Sequence, residues 1–159
     1  MVLLGFIGFL DPPKESAKES IEKLNKAGIR VIVLTGDNSE VTRCVCNKVG
    51  IKSKNIVLGS EIDKLQDLAV IRLLKKTNIF AKLSPIQKAR IVRLLKDSGN
   101  IVGYMGDGIN DSPSLTNSDV GVSVDTAVDI AKESADIILL EKDLNVLLDG
   151  VTERKKNFW

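Results

Sequence analysis

Residues 106–111 bring two carboxylates and one carboxamide together in a short loop, in the order Gly-Asp-Gly-Ile-Asn-Asp. The preceding residues 101–105 are mainly apolar and predict a buried strand, and Ser112-Pro113 predicts the first turn of a helix. In an open α/β sheet, phosphates and Mg²⁺ are bound where a strand ends and the next helix begins. The same residue types also make ordinary turns, so this loop alone leaves a turn and a metal-phosphate site both open.

Two further segments have residue types that suit an anion. The turn Thr35-Gly36-Asp37-Asn38 offers a hydroxyl, a glycine amide and a helix N-terminus after the apolar residues 29–34. By itself, this turn favours a simple helix N-cap. Lys88 lies one turn into a helix whose start is predicted by Ser84-Pro85 and by glutamine at the capping-box position. A lysine there can reach an anion at the strand ends, although most helical lysines are merely solvated.

Composition limits the chemistry. The chain has 159 residues and a formal net charge of +2, which fits one domain with a real core and gives no basic surface for nucleic acid. The absence of histidine excludes imidazole bases, Ser-His triads and histidine metal sites. We expect a soluble chain, since no apolar run is long enough to span a bilayer and no signal peptide is recognisable. Carboxylates, hydroxyls, amides and lysine remain, and these suit phosphoryl transfer with a hard metal ion.

Strand and helix patterns alternate along the whole chain. The predicted strands are residues 5–10, 29–34, 56–58, 79–81, 101–105, 120–122 and 137–140. The predicted helices are residues 14–27, 39–49, 60–76, 85–97, 127–134, one beginning at residue 112 and one beginning near residue 144. Short connections between them predict one domain over residues 1–159, an α/β fold with a doubly wound, mainly parallel sheet. Residues 29–34 are almost wholly apolar and predict a central strand.

The order of the three polar segments is that of haloacid-dehalogenase-like phosphotransferases. The flanking residues narrow this resemblance to the phosphorylation domain of P-type cation-transporting ATPases. The segments that carry it are residues 10–14, 35–38, 81–88, 106–113 and 131–140. Residues 9–16 and 120–125 are most similar to bacterial magnesium-transporting pumps. The resemblance covers nearly the whole chain and implies a Rossmann-like fold.

The resemblance also implies a role for each polar side chain. Asp107 would be a direct Mg²⁺ ligand, and Asp111 would lie in the coordination shell or just behind it. Thr35, Lys88 and Asp107 would be the catalytic residues. The residues implied to bind the phosphoryl group are Thr35, Gly36, Lys88 and Asn110. The residues implied to lie toward the nucleotide and the hinge are Asp11, Lys14 and Asp37.

The nucleophile of the family is missing. In these pumps it is the aspartate of an Asp-Lys-Thr-Gly-Thr motif, and no such string occurs in this chain. Asp11 also follows an apolar segment, but Pro12 and Pro13 come after it instead of the motif's lysine and first threonine. We therefore expect the chain by itself to be inactive, because no covalent intermediate can form. The chain is expected to begin after the nucleotide-binding domain that follows the motif.

The strand that carries the nucleophile would also be missing. In the related fold it is central and lies between the strand ending before Thr35 and the strand ending before Gly106. Its absence predicts two unpaired edges in the middle of the sheet, which invite self-association. Our hypothesis is that residues 5–10 or a second copy of the chain fill the gap. Like charges at Asp37, Asp107 and Asp111 should raise the pKa of at least one of them, and Mg²⁺ binding should be weak, on a millimolar scale.

Three functions remain open. The first is a cytoplasmic fragment of a cell-membrane pump that uses ATP as phosphoryl donor and Mg²⁺ as cofactor. Its partners would be the nucleotide-binding domain, the acceptor-aspartate segment and the transmembrane domain, with no nucleic acid. Residues 144–159 would lead toward a membrane span, or form a simple surface helix. The second function is a soluble phosphatase of the same superfamily, and the third is a non-catalytic binding module with the same fold.

Overall fold

Helices and strands alternate through residues 12–52, 55–141 and 143–156, which are the residues described by the computed structural model. The helices are Ser16–Lys26 (α1), Ser39–Lys48 (α2), Gly59–Ile62 (α3), Asp67–Leu74 (α4), Pro85–Asp97 (α5), Ser112–Asn117 (α6), Asp129–Glu133 (α7) and Leu144–Lys156 (α8). The strands are Val33–Leu34 (β1), Val57–Leu58 (β2), Ile79–Ala81 (β3), Gly103–Met105 (β4), Val120–Val124 (β5) and Ile137–Leu139 (β6). A 3₁₀ turn, Ile109–Asp111, precedes α6. The predicted strand at residues 5–10 lies outside the described residues.

The strands form two parallel three-stranded sheets, with the orders β1-β3-β2 and β4-β5-β6. Leu34 is paired with Phe80 in the first sheet, and Tyr104 with Gly121 in the second. All of these pairings are parallel, and each is connected through helices, which confirms the predicted α/β class. Each sheet has an apolar core of its own, and Leu34 packs against both cores.

The two strands that precede the polar loops, β1 and β4, are edge strands of different sheets. Within the described part of the chain they do not pair with each other. This arrangement fits the prediction that a strand is absent between them. What fills or covers the gap stays a prediction, because residues 5–10 are outside the described ranges.

The predicted central strand at residues 29–34 is wrong in both length and position. Only Val33–Leu34 is a strand, and the centre of its sheet is β3, whose three residues are all buried. Arg30 explains the shortening, because its Nη2 donates to the carbonyl oxygens of Leu74 at 2.5 Å and Thr77 at 2.7 Å. The segment that enters β1 is therefore fixed to the end of α4 by a side chain rather than by strand pairing.

The predicted helix over residues 60–76 is divided into α3 and α4. Arg90 on α5 donates to the carbonyl oxygen of Ile62 at 3.0 Å and to that of Leu65 at 2.7 Å. It also donates to Asp67 Oδ1 at the start of α4. Carbonyls that a continuous helix would use internally are bound by arginine instead, so the chain turns between the two helices.

Helix α5 begins and ends at the residues that the sequence predicts. Ser84 Oγ accepts from the Gln87 amide at 3.3 Å, and Gln87 Oε1 accepts from the Ser84 amide at 2.8 Å, so the capping box is complete. The helix ends at Asp97, and Gly99 follows with a φ of +83°. Since Lys88 is on this helix, its position relative to the strand ends is well fixed.

Strand β4 is less buried than its sequence predicts. Only Tyr104 is buried among its three residues, while Gly103 and Met105 are exposed and the preceding Ile101 is 90% exposed.

At the other end of the chain, α8 begins at the predicted residue and lies against α1, with hydrogen bonds from Ser16 to Asp143 and from Ser20 to Asn145. Across the described ranges, none of the helices combines the length and apolar character that a membrane span requires.

Candidate functional site

Asp111 is the centre of the candidate site. Its Oδ1 accepts a hydrogen bond from Lys88 Nζ at 2.8 Å and another from Tyr104 Oη at 2.7 Å. Its Oδ2 accepts from the Gly108 amide at 3.3 Å. The side chains of Lys88 and Asp111 are only 12% and 15% exposed, so this is a largely buried ion pair. The structure thus joins two of the sequence-predicted residues and adds a third, Tyr104.

Backbone geometry places Asp111 against the end of β4. A side chain on Gly106 would put its Cβ 2.5 Å from Asp111 Cβ, so glycine is required for this close approach. The Gly106 amide donates to the Val122 carbonyl, and the Gly106 carbonyl accepts from Ser123 Oγ. The loop therefore leaves β4 while still attached to β5, and the 3₁₀ turn then directs Asp111 back over Gly106.

The pKa of Asp111 is determined mainly by burial and by its contacts with Lys88 and Tyr104. Burial raises the pKa of this carboxyl, but the hydrogen bonds from Lys88 and Tyr104, the charge of Lys88 and the Gly108 amide together hold it below its usual value. The rise that repulsion predicts for the pKa of at least one of the three carboxyl groups does not occur at Asp111, because a cation is its nearest charged neighbour. Burial, followed by the adjacent Asp111 carboxylate, raises the pKa of Tyr104 well above its ordinary value.

Thr35 and Asp37 form a second, self-contained turn. Thr35 Oγ1 donates to Asp37 Oδ2 and accepts from the Asp37 amide, both at 3.1 Å. Asn38 caps α2 by accepting from the Val41 amide. A Cβ on Gly36 would lie 3.6 Å from the Leu83 carbonyl oxygen, which is ordinary contact, so this glycine is not sterically required. The hydroxyl proton of Thr35 is used within the turn and must leave Asp37 before it can serve a ligand.

The start of α5 connects the two loops. The Leu83 amide donates to the Thr35 carbonyl at 3.0 Å, and the Lys82 amide donates to the Asp37 carbonyl at 2.8 Å. One turn further along, Lys88 binds Asp111. The segment from Lys82 to Lys88 thus holds the Thr35 turn on one side and the Asp111 loop on the other, across sheets whose motif-bearing strands are not paired.

The remaining predicted residues lie around this centre. Asp107 and Asn110 are exposed on the loop, and the Asp107 carbonyl accepts from the Val128 amide. Lys14 and Asp107 line one open cleft of about 320 Å³, whose walls include Met105 and Asp143. Lys14 is thereby near the proposed metal ligand. Asp11 lies outside the described residues.

The carboxylate oxygens of this site can supply only a few of the ligands of a metal ion. Asp111 Oδ1 already accepts two hydrogen bonds and Oδ2 one, which leaves about one lone pair of the four on the carboxylate. Within the described ranges there is no cluster of three or more acidic, cysteine or histidine side chains that could hold a metal. The exposed Asp107 and one remaining lone pair on Asp111 fit Mg²⁺ that keeps most of its water ligands.

Tyr104 was missed by the sequence reasoning, which treated it as one residue of an apolar strand. It is the only tyrosine in the chain and lies seven positions before Asp111. A buried tyrosine hydroxyl usually finds a hydrogen-bond partner, and that rule was the available signal. The partner itself could not be predicted, because it depends on how the 3₁₀ turn folds back over Gly106.

A parallel α/β fold with polar loops after β1 and β4, and a lysine bound to one of those loops, defines a Rossmann-like domain of the kind that handles phosphoryl groups. Residues 2–119 match the family model described as haloacid dehalogenase-like hydrolase. The chain belongs to this family.

Similar proteins are transport ATPases. The chain is 51% identical over 158 residues to "Magnesium-transporting ATPase, P-type 1" of Salmonella typhimurium, an alignment that covers 99% of the chain and 18% of that protein. Identity and coverage are the same for the protein of that name from Escherichia coli K12. "Calcium-transporting ATPase 1" of Bacillus cereus is 36% identical over 156 residues, covering 96% of the chain and 18% of that protein.

A solved structure extends this likeness to the fold. The catalytic domain of the CPx-ATPase CopB-B, from a study of its conformational changes upon nucleotide binding, matches with a TM-score of 0.65 and 31% identity. The match covers 86% of this chain and 44% of that one. The resemblance to P-type ATPases is confirmed, and the chain spans about a fifth of the length of the magnesium-transporting relatives, 18% in each case.

Proposed function

We propose that this chain forms the Mg²⁺- and phosphate-binding half of an aspartyl-phosphate site in a magnesium-transporting P-type ATPase. The observation that carries the proposal is the buried ion pair of Lys88 and Asp111 beside the loop of Asp107 and Asn110. The similarity to magnesium-transporting ATPases along 99% of the chain supports the choice of pump.

Lys88 is the positive charge of the proposed site. Its ammonium group has three donors, and Asp111 takes one of them. Two donors remain for oxygens of a phosphoryl group, where a buried point charge stabilises the negative charge that spreads over those oxygens during transfer. Asp111 also balances the charge of Lys88, so the lysine is not a lone buried charge.

The polar loops bind and orient the phosphoryl group. Thr35 Oγ1, the Gly36 amide and the Asn110 carboxamide donate hydrogen bonds to its oxygens. Asp107 holds Mg²⁺, which when bound supplies charge neutralisation at those oxygens. Asp111 fixes Lys88 and would offer its one remaining lone pair to the metal or to a water on it. The acceptor aspartate comes from another segment of the parent protein, and its strand enters between β1 and β4.

The surroundings of the site follow from this assignment. Lys14 and Asp37 face the nucleotide and the hinge to a nucleotide-binding domain, with ATP as phosphoryl donor. The domain lies on the cytoplasmic side of the cell membrane, and α8 leads toward a transmembrane domain. Where the acceptor strand is absent, the edges of β1 and β4, which are unpaired among the described residues, favour self-association.

A chimera tests the proposal. The chain replaces the corresponding segment of the Salmonella typhimurium magnesium-transporting ATPase, and acid-stable phosphoenzyme formed from γ-³²P-labelled ATP is measured in membranes. We expect phosphoenzyme from the chimera and a fall in its formation rate on the order of 100-fold with Lys88→Ala or Asp107→Asn. Lys64→Ala and Asp63→Asn change exposed residues of the same types and serve as controls.

Two results would overturn the assignment. One is a folded chimera whose phosphoenzyme level is unaffected by Lys88→Ala and Asp107→Asn. The other is Mg²⁺-dependent hydrolysis of p-nitrophenyl phosphate by the 159-residue chain alone, abolished by a substitution at one of its own aspartates. The second result would favour a soluble phosphatase, because it requires a nucleophile within this chain.

A further inference from the structure

The hydroxyl of Tyr104 and the ammonium of Lys88 share one acceptor. Both donate to Asp111 Oδ1, at 2.7 Å and 2.8 Å. Tyr104 belongs to β4, Lys88 to α5, and Asp111 to the 3₁₀ turn, so one carboxylate oxygen joins three elements. Neither the family match nor the relatives' names assign a role to this tyrosine.

The ring of Tyr104 is firmly anchored. The residue is only 8% exposed and belongs to the apolar core that includes Val92, Leu115 and Val122. A tyrosine side chain has only two flexible dihedrals, so a packed ring leaves its hydroxyl little freedom of position. The hydroxyl is therefore a fixed donor that projects from the core toward Asp111.

Lysine, by contrast, has no directional preference of its own. Its ammonium is a compact charge on a flexible four-carbon chain, and its position is set by the acceptor it binds. The Gly108 amide restrains Asp111 Oδ2, and the Tyr104 hydroxyl restrains Oδ1. With both oxygens restrained, the carboxylate cannot rotate freely, and the place where Lys88 must go is defined before any ligand binds.

We propose that Tyr104 is a positioning residue, which fixes the Asp111 carboxylate and, through it, the Lys88 ammonium at the phosphoryl site. Its catalytic consequence rests on the proposed function. Loss of the hydroxyl leaves Asp111 held on Oδ1 by Lys88 alone, so that lysine and carboxylate move together. The phosphoryl-transfer step slows, while nucleotide affinity, which depends on other segments, is retained.

The first test measures the coupling in the 159-residue chain itself. Growth with 3-fluorotyrosine labels position 104 alone, since the chain has a single tyrosine. The ¹⁹F resonance reports the surroundings of the hydroxyl without removing it. We expect Lys88→Met to shift this resonance and Lys64→Met, at an exposed turn, to leave it in place. An unchanged resonance in the Lys88→Met protein overturns the proposal.

The second test uses Tyr104→Phe in the chimera. We expect the single-turnover rate of phosphoenzyme formation to fall about tenfold or more, with the KM for ATP within about twofold of the parent value. Ile101→Val, at an exposed position just before β4, is the control. A purely structural hydroxyl would change the urea midpoint but not the rate, and that outcome overturns the proposal.

The two tests separate this inference from the proposed function. An inactive parent chimera together with a ¹⁹F shift on Lys88→Met contradicts the pump assignment but retains the Tyr104–Asp111–Lys88 coupling. An active chimera with a rate unaffected by Tyr104→Phe retains the pump and contradicts the positioning role. If Tyr104→Phe fails to fold, the fluorotyrosine measurement decides, because it leaves the hydroxyl in place.

Discussion

Removal of Lys88 should destabilise the chain far more than removal of an ordinary surface lysine. In Lys88→Met the side chain keeps nearly the same length and loses its charge. Asp111, which is 15% exposed, is then left as a largely buried carboxylate whose remaining donors are Tyr104 and the Gly108 amide. Breaking a buried pair in this way typically costs about 3–5 kcal/mol of unfolding free energy.

The structure allows the size of this effect to be checked. At the observed separation of 2.8 Å and an effective dielectric constant of about 20, the attraction between the two charges is roughly 6 kcal/mol. Desolvation of two partly buried ions offsets several kcal/mol of that attraction, so the intact pair contributes little net stability. The large cost arises only when one partner is removed and the other stays buried. The double variant Lys88→Met with Asp111→Asn should therefore cost less than the sum of its single variants, by about 1–3 kcal/mol.

Urea unfolding of the 159-residue chain, followed by far-ultraviolet circular dichroism, measures all of these quantities. Lys64→Met is the matched control, because Lys64 is exposed in the turn after α3. We expect it to change the unfolding free energy by no more than about 0.5 kcal/mol. A cost below about 1 kcal/mol for Lys88→Met, or strict additivity in the double variant, would refute the buried ion pair.

The pH dependence of stability is a second test of the ion pair between Lys88 and Asp111. The pKa of Asp111 is lower in the folded chain than its unfolded value of about 3.9. A carboxyl with a lowered folded pKa contributes stability above the unfolded value, and this stability is lost as the pH falls from about 4 toward the folded pKa. In Lys88→Met the loss on acidification should be smaller, because the main group that lowers the pKa is gone. An identical acid profile in the two proteins would contradict this reasoning.

Four glycine and serine substitutions provide further predictions, all measured by urea unfolding. Gly59→Ala should cost about 1–3 kcal/mol, because its Cβ would lie 2.4 Å from the Lys82 carbonyl oxygen, whereas Gly150→Ala meets nothing within 4 Å and should be neutral or stabilising. Equal effects at the two glycines would contradict this. Gly106→Ala should destabilise by a similar amount and weaken the coupling between Lys88 and Asp111, since its Cβ would lie 2.5 Å from Asp111 Cβ. Ser114→Ala should change stability by no more than about 1 kcal/mol, because the buried Ser114 hydroxyl has no well-formed hydrogen bond in the described part of the chain but lies within reach of the Tyr104 hydroxyl. A clear loss of stability there would mean that the hydroxyl is paired in solution.

Local signals predicted well wherever a side chain acts on its own backbone. The Ser84–Gln87 capping box was predicted and is confirmed, and an N-cap was predicted at Asn38 or Ser39 and is found at Asn38. Both were predictable because each depends on residues within three positions of one another. The start of α8 at Leu144 is likewise confirmed. The α/β class was predictable for a related reason, since it follows from the alternation of such local patterns.

Predictions failed where distant side chains replace local backbone partners. The single helix at residues 60–76 is divided because Arg90, more than 20 positions away, binds the carbonyls between α3 and α4. The long strand at residues 29–34 is shortened because Arg30 binds carbonyls at the end of α4 and just beyond it. Both arginines have ordinary sequence surroundings, and nothing in periodicity predicts which carbonyl a guanidinium will reach.

The candidate site was predictable as a set of residues but not as a set of contacts. Thr35, Lys88 and Asp107 were selected because they follow strands or begin helices in one topological order. That order cannot show that Asp111 accepts hydrogen bonds from Lys88 and Tyr104, because these contacts depend on a 3₁₀ turn of three residues. The lowered pKa of Asp111 could not be predicted either, since counting carboxylates in the sequence omits the cation that packs between the loops.

The role of α5 explains how the loops keep their places although β1 and β4 are not paired in the described chain. Each polar loop is closed by its own hydrogen bonds, Thr35 with Asp37 and Asp111 with Gly108. The segment from Lys82 to Lys88 binds both loops. An acceptor strand that enters the gap would therefore meet loops already held in place, with the charge of Lys88 balanced by Asp111. Because a phosphoryl group adds negative charge at that point, the two free donors of Lys88 are the groups that would receive it, and the carboxylate behind them prevents the lysine from leaving.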